Sequence, residues 1–217
     1  MRAVLFDFDF TLADSEAAIV RCVNHALVGM GLPKAAPEQI RRGIGLSLER
    51  IYELLTGEDG DGAQRFRTLF IEEADRVMAK GTTLYPWVAG TIETLRSRGL
   101  ALGIVTTKRR YRVHEVLERE GLADRFAVIV GADMVRRTKP DPEPLERALE
   151  ELGLEAGEVL YVGDNSVDAM AAAAAGVPFA GVLTGTTPRQ ELERLGARAV
   201  LPSAATVPDL LDRHPFR

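Results

Sequence analysis

The chain has 217 residues, 46% hydrophobic and 27% charged, which excludes a disordered or low-complexity polypeptide and leaves room for one core with a sizeable insertion. Acidic side chains outnumber basic ones 32 to 27; at a formal charge of −5 there is no general attraction for nucleic acid or an anionic membrane, so an anionic ligand needs a local site. Cys22 is the only cysteine, which excludes an intrachain disulfide and a cysteine zinc cluster and suits a reducing cytoplasm.

Ala3–Phe6 is an apolar run ending in Asp7, the form of a buried strand, and it meets that acid too soon to supply the roughly 7–15 apolar residues of a signal peptide. The next strand pattern begins only at Leu100, a far longer interval than the dozen or so residues that a crossover needs. Within it Ala17–Met30, Leu46–Leu55 and Gln64–Met78 carry apolar residues at helical spacing, separated by turn-rich stretches at Gly31–Pro37 and Gly57–Gly62. Hinges are expected near Asp14–Ser15 and Gly81–Pro86, where polar, glycine and proline residues cluster.

From there helices and strands alternate. Helices are predicted over Val88–Arg98, Tyr111–Glu120, Glu143–Leu152, Val167–Ala175 and Pro188–Leu195, and strands over Leu100–Val105, Phe126–Val130, Val159–Val162 and Phe179–Leu183. Gly99, Gly121, Gly153, Gly176 and Gly196 stand where helices end, and Thr206–Leu211 is expected to form a last helix docked on the sheet. The longest stretch without charged or polar side chains, Ala169–Leu183, is broken by Pro178 and falls short of the roughly 18 residues of a membrane span, so a soluble protein is expected. The alternation predicts an α/β fold, a three-layer Rossmann-like parallel sheet. Residues 1–14 and 83–217 form its core domain and residues 15–82 an inserted all-helical domain.

Four clusters fall at strand ends, where open parallel sheets place their ligand crevice. Asp7-Phe8-Asp9-Phe10-Thr11 presents two carboxylates two residues apart, on one side of an extended segment, so that one can attack or bind metal while the other moves protons. Val105-Thr106-Thr107 offers hydroxyl and backbone donors to phosphate oxygens, and Lys139 lies in a loop stiffened by Pro140 and Pro142. Gly163-Asp164-Asn165-Ser166-Val167-Asp168 brings two acids four apart, hard oxygen ligands suited to Mg2+. Each cluster also has an ordinary reading: helix capping, by Asp164 or Ser166 in the last case, or a solvated lysine for Lys139. Four such coincidences of complementary charge at strand ends favour a single site.

With Tyr85-Pro86, Lys108, Lys139-Pro140-Asp141-Pro142 and Ala175-Gly176-Val177, these motifs in their order resemble the haloacid dehalogenase-like hydrolase superfamily, in its phosphoglycolate phosphatase-like branch. Phe10 and Trp87 depart from the pattern, standing where that branch usually has glycine. The resemblance implies a Mg2+-dependent phosphatase in which Asp7 is the nucleophile and forms an aspartyl-phosphate, and Asp9 protonates the leaving oxygen and later activates water. It places Mg2+ on the Asp7 carboxylate, the Asp9 carbonyl and Asp164, with Asp168 and Asn165 in support of the metal. Thr106, Thr107 and Lys139 bind the phosphoryl group, Lys139 also holding Asp7. An acid at position 9 favours phosphoryl transfer, because dehalogenase and phosphonate-cleaving members lack one there.

The helical insertion resembles the family's cap domain, in which Arg41, Arg42 and Gly45 are candidate contacts for a second anionic group on the substrate. The expected ligand is a small phosphorylated metabolite, with neither nucleic acid nor membrane as partner and a monomer or homodimer both open. Pyrophosphate, a sugar phosphate or a nucleoside monophosphate are alternative substrates. A phosphosugar mutase and a non-catalytic binding protein on the same fold are alternative functions.

Overall fold

A computed structural model describes residues 1–58 and 60–213. In chain order the elements are β1 (Ala3–Phe6), β2 (Ala13–Asp14), α1 (Glu16–Gly29), α2 (Pro37–Arg41), α3 (Leu48–Thr56), α4 (Asp61–Val77), β3 (Thr83–Leu84) and α5 (Val88–Ser97). They continue with β4 (Ala101–Val105), α6 (Arg110–Arg119), β5 (Val128–Val130), α7 (Glu143–Leu152), β6 (Val159–Gly163) and α8 (Ser166–Ala175). Last come β7 (Phe179–Val182), α9 (Arg189–Arg194), β8 (Ala199–Leu201) and α10 (Val207–Arg213).

Six strands form one sheet in the order β5-β4-β1-β6-β7-β8, every pairing parallel. β1 is central, and each of its four side chains is completely buried, because a parallel sheet is covered on both faces. Alternate residues go to opposite layers: Ala3 and Leu5 join a cluster with Val128, Val130, Tyr161 and Phe179 that is closed by Leu145 and Ala148 of α7, Ala169 and Ala172 of α8 and Leu192 of α9. On the other face α5 packs against β4 with Ile92 and Leu95 fully buried. The expected α/β architecture is the one observed. Because the chain moves outward from β1 first through β4 and β5 and then, on the other side, through β6, β7 and β8, the carboxyl edge next to β1 is a topological switch point, where such folds bind ligands.

The strand and helix boundaries differ from the sequence reading by three residues or fewer, and Ala3–Phe6 and Glu143–Leu152 coincide with it. All five helix-terminating glycines have positive φ, from 63° at Gly153 to 91° at Gly196, which stops each helix in the left-handed region that a Cβ disfavours. The short elements α2, β2, β3 and β8 had no sequence expectation. The last helix, expected on the sheet, packs beside α5, where Arg98 clamps Asp212 through a paired guanidinium contact and also donates to the Pro208 carbonyl.

Chain contacts divide the molecule into two compact units, residues 1–13 with 84–217, and residues 14–83. In the second, α1 packs along α4, with Ile19, Cys22, Val23 and Ala26 facing Phe66, Phe70 and Ala74 at helical spacing. α3 adds Tyr52, whose ring lies 5.6 Å from that of Phe66 and whose hydroxyl donates to Glu58 at 2.9 Å. Asp59, in the turn expected over Gly57–Gly62, lies outside the described residues. Among the described residues no helix is long and apolar enough to cross a membrane.

Candidate active site

Parallel register decides which residues leave the sheet together. Phe6 stands opposite Ile104 on one side and Val162 on the other, so Asp7, Thr106 and Asp164 emerge on adjacent strands at the carboxyl edge. Main-chain bonds carry the ladder one step further: Asp7 donates its N–H to Val162 (2.8 Å) and Thr106 its N–H to Val130 (3.0 Å). After Asp9 the chain folds into a tight loop, with the N–H groups of Leu12 and Ala13 both donating to the Phe8 carbonyl. Phe10 occupies that loop at φ 60°, the only non-glycine residue with positive φ among those described, which is why a glycine suits the position. Its ring is almost wholly buried, and its carbonyl accepts a hydrogen bond from the Thr184 hydroxyl, so packing holds a conformation that the side chain itself opposes.

Lys139 is the hub of the cluster. Its buried Nζ lies 2.8 Å from Asp7 Oδ1, 2.5 Å from Asp168 Oδ1, 2.8 Å from the Tyr161 hydroxyl and 3.2 Å from the Val105 carbonyl. Asp168 uses its other oxygen to accept the Asn165 N–H at 2.9 Å, and the Asn165 side chain accepts from Val167. These bonds make a capping box at the start of α8, so Asn165 caps the helix, in place of the Asp164 or Ser166 of the ordinary reading. Asp164 instead points to the loop after β1, accepting from the Thr11 hydroxyl at 3.0 Å. Asp9 is paired with Lys108, whose Nζ is 3.1 Å from Asp9 Oδ1. Thr106 accepts the Lys108 N–H on its hydroxyl oxygen at 3.2 Å, which leaves its own proton for a further acceptor.

Four buried carboxylates, Asp7, Asp9, Asp164 and Asp168, thus face two buried ammonium groups, Lys108 and Lys139. The excess negative charge has consequences. Burial, reinforced by Asp168 and Asp9, pushes Asp7 up to about 7 against the pull of Lys139. Burial, then the charges of Asp168 and Asp7, hold Asp164 well above the usual carboxylate range. For Lys139 burial works toward the neutral amine, but Asp168 and Asp7 outweigh it and the ammonium form is favoured more than usual.

One oxygen from each of Asp7, Asp164 and Asp168 lies within 4.8 Å of the others. Glycines make the space: a Cβ at Gly163 would come within 2.5 Å of Asp168 Oδ2, and one at Gly185 would collide with the Asp164 carboxylate. An all-oxygen, charge-excess cluster of this kind fits a small hard divalent cation.

Asp7, Asp9, Thr106, Lys139, Asp164 and Asp168 are therefore brought to one edge, with Thr107 next in the chain. Arg41, Arg42 and Gly45 belong to the helical unit, in which Arg41 pairs with Glu16 and Gly45 has φ 98°. Sequence reasoning assigned no role to Thr11, Tyr161 or Lys108. Tyr161 had a visible signal, a lone hydroxyl within a strand otherwise apolar, whereas the partners of Thr11 and Lys108 depend on the fold of the loop after β1.

Residues 4–182 match the profile of the haloacid dehalogenase-like hydrolases. The chain is 38% identical over 190 residues to a phosphoglycolate phosphatase of Yersinia pseudotuberculosis and 34% identical over 207 residues to that of Escherichia coli K12, covering 85% of this chain and 82% of each relative. Among solved structures, a proposed haloacid dehalogenase-like hydrolase from Bacteroides fragilis superposes with a TM-score of 0.91 at 38% identity, over 96% of this chain and 99% of the other. A hydrolase from Pseudomonas syringae gives 0.84 at 29% identity, over 97% of both.

Proposed function

We propose, because the chain belongs to the haloacid dehalogenase-like hydrolase family, that it is a phosphatase cleaving a small phosphomonoester through a phosphorylated Asp7, with 2-phosphoglycolate the first substrate to test. The observation that carries this reading is the buried bridge Asp7–Lys139–Asp168, which fixes one oxygen of Asp7 and leaves the other for phosphorus.

In the first step Asp7 forms a bond to phosphorus as the bond from phosphorus to the alkoxy oxygen breaks, and Asp9 gives that oxygen its proton. In the second, Asp9 takes a proton from water, the water oxygen bonds to phosphorus, and Asp7 is released with inorganic phosphate. Lys139 remains an ammonium throughout and offsets charge on Asp7. The Thr106 hydroxyl donates to a phosphoryl oxygen, with Thr107 beside it. Asp7, Asp164 and the Asp9 carbonyl would hold Mg2+, with Asp168 and Asn165 in support, and the ion would offset the repulsion between Asp7 and an anionic substrate. Residues 15–82 serve as the cap that selects the leaving group, Arg41 or Arg42 reading a carboxylate on it and Gly45 leaving room. The expected setting is the cytoplasm.

The test is phosphate release from a panel of phosphomonoesters and pyrophosphate, with and without Mg2+. Release should need the cation and fall by at least about a thousandfold in Asp7→Asn, as loss of a nucleophile requires. Arg41→Ala or Arg42→Ala should lower the preference for 2-phosphoglycolate over a neutral alkyl phosphate. Retention of turnover by Asp7→Asn would refute the covalent route.

A further inference from the structure

The site contains a second buried ammonium group that the mechanism above leaves without a task. Lys108 Nζ is 3.1 Å from Asp9 Oδ1, the two side chains being 5% and 10% exposed. The main chain bearing it is fixed from both sides, since its N–H donates to the Thr106 hydroxyl and its carbonyl accepts from Ala132 at 3.1 Å. Gly131 permits that approach, because a Cβ there would stand 2.8 Å from the Lys108 carbonyl oxygen. Lys108 is thus mounted rigidly before α6 begins, with its ammonium group on Asp9.

We propose that Lys108 is a positioning residue for Asp9, holding its carboxylate away from the Asp7, Asp164 and Asp168 oxygens and on the leaving-group side of the phosphoryl group. The inference rests on the phosphatase reading given above. Asp9 follows Asp7 by two residues and is buried with it at the same strand end, so its carboxylate needs a partner that keeps it apart from the oxygen cluster. The group of mutually close oxygens is formed by Asp7, Asp164 and Asp168. In-line transfer places the attacking and leaving oxygens on opposite sides of phosphorus, so an acid that serves the leaving oxygen has to be kept from the nucleophile's side. One ammonium serves each carboxylate of the first motif, Lys139 for Asp7 and Lys108 for Asp9.

The test compares first-turnover rates of the Mg2+-loaded enzyme on p-nitrophenyl phosphate, whose phenolate leaves with little help, and 2-phosphoglycolate, whose alkoxide needs a proton. In Lys108→Gln the rate on 2-phosphoglycolate should fall by about thirtyfold or more, a part of the roughly 10²–10⁴-fold that a general acid contributes, while nitrophenolate release changes less than about threefold and KM less than about twofold. Lys108→Arg should recover most of the loss. The ratio of the two rates within one preparation does not depend on the folded fraction, so partial misfolding leaves it readable. Equal losses on both substrates, or a raised KM at constant kcat, would overturn the assignment. Absence of turnover in wild type, or its survival in Asp7→Asn, would overturn the phosphatase reading and this proposal with it, whereas an unchanged ratio in Lys108→Gln refutes the role of Lys108 alone.

Discussion

Lys139 has four oxygen acceptors within reach and three protons to give, so the cluster works only if Tyr161 also supplies a proton of its own. Its hydroxyl is 2.9 Å from the Val105 carbonyl and 3.0 Å from Asp168, and donation to either relieves the competition. Tyr161 stays protonated because burial, then the charges of Asp168 and Asp7, hold it well above its usual range. The glycines beside the acids are as necessary as the acids. In Gly185→Ala the added methyl displaces the Asp164 carboxylate, so Mg2+ affinity should fall at least tenfold while the far-ultraviolet circular dichroism stays that of wild type; unchanged affinity by titration calorimetry would show that Asp164 holds no cation. At this scale the sequence was legible where an acid or hydroxyl ended an apolar run, as at Asp7 and Thr106, and where prolines stiffened the loop around Lys139. Thr11, Lys108 and Gly185 were illegible because their importance comes from the neighbour that folding supplies.

Among the elements, the long periodic ones were readable and the short ones were not. A three-residue strand such as β8 or a five-residue helix such as α2 spans too few residues to display a period, and both are held by tertiary contacts. Gly103 shows how a strand can hide a packing demand inside an apolar run. A Cβ there would lie 2.5 Å from both Leu5 Cδ2 and Val128 Cγ1, so β1, β4 and β5 approach as they do because residue 103 has none. Gly103→Ala is expected to cost about 1–3 kcal/mol in urea unfolding, the usual range for overpacking, and a neutral result would mean that the sheet can spread at this point.

At the level of the whole molecule, a formal charge of −5 is concentrated inward as well as outward, since four carboxylates lie buried at one edge of the sheet. Without a cation this couples stability to pH. Asp7 is raised in the folded protein, so its contribution is full below about pH 4, the unfolded carboxylate range, and is lost as pH rises through about 7; Asp164 acts in the same direction. Cation binding requires the ionised acids and so works the opposite way. The rise in melting temperature on adding saturating Mg2+ should therefore be larger at pH 8 than at pH 5.5, and equal increments at both would refute a cation site on Asp7 and Asp164.

The chain leaves the sheet-containing unit after Ala13 and re-enters it at Leu84, and the Leu12 carbonyl there accepts the Tyr85 N–H at 3.0 Å. Exit and return are neighbours. An excursion between two such points is a closed loop whatever its content, and doubling its length adds only about 0.6 kcal/mol of closure entropy. The sheet that carries the chemistry is for that reason nearly indifferent to the size of what is spliced in at this point. On the reading proposed above, new leaving-group preferences can be acquired there by exchanging a cassette, without renegotiating the register that sets Asp7 beside Thr106 and Asp164.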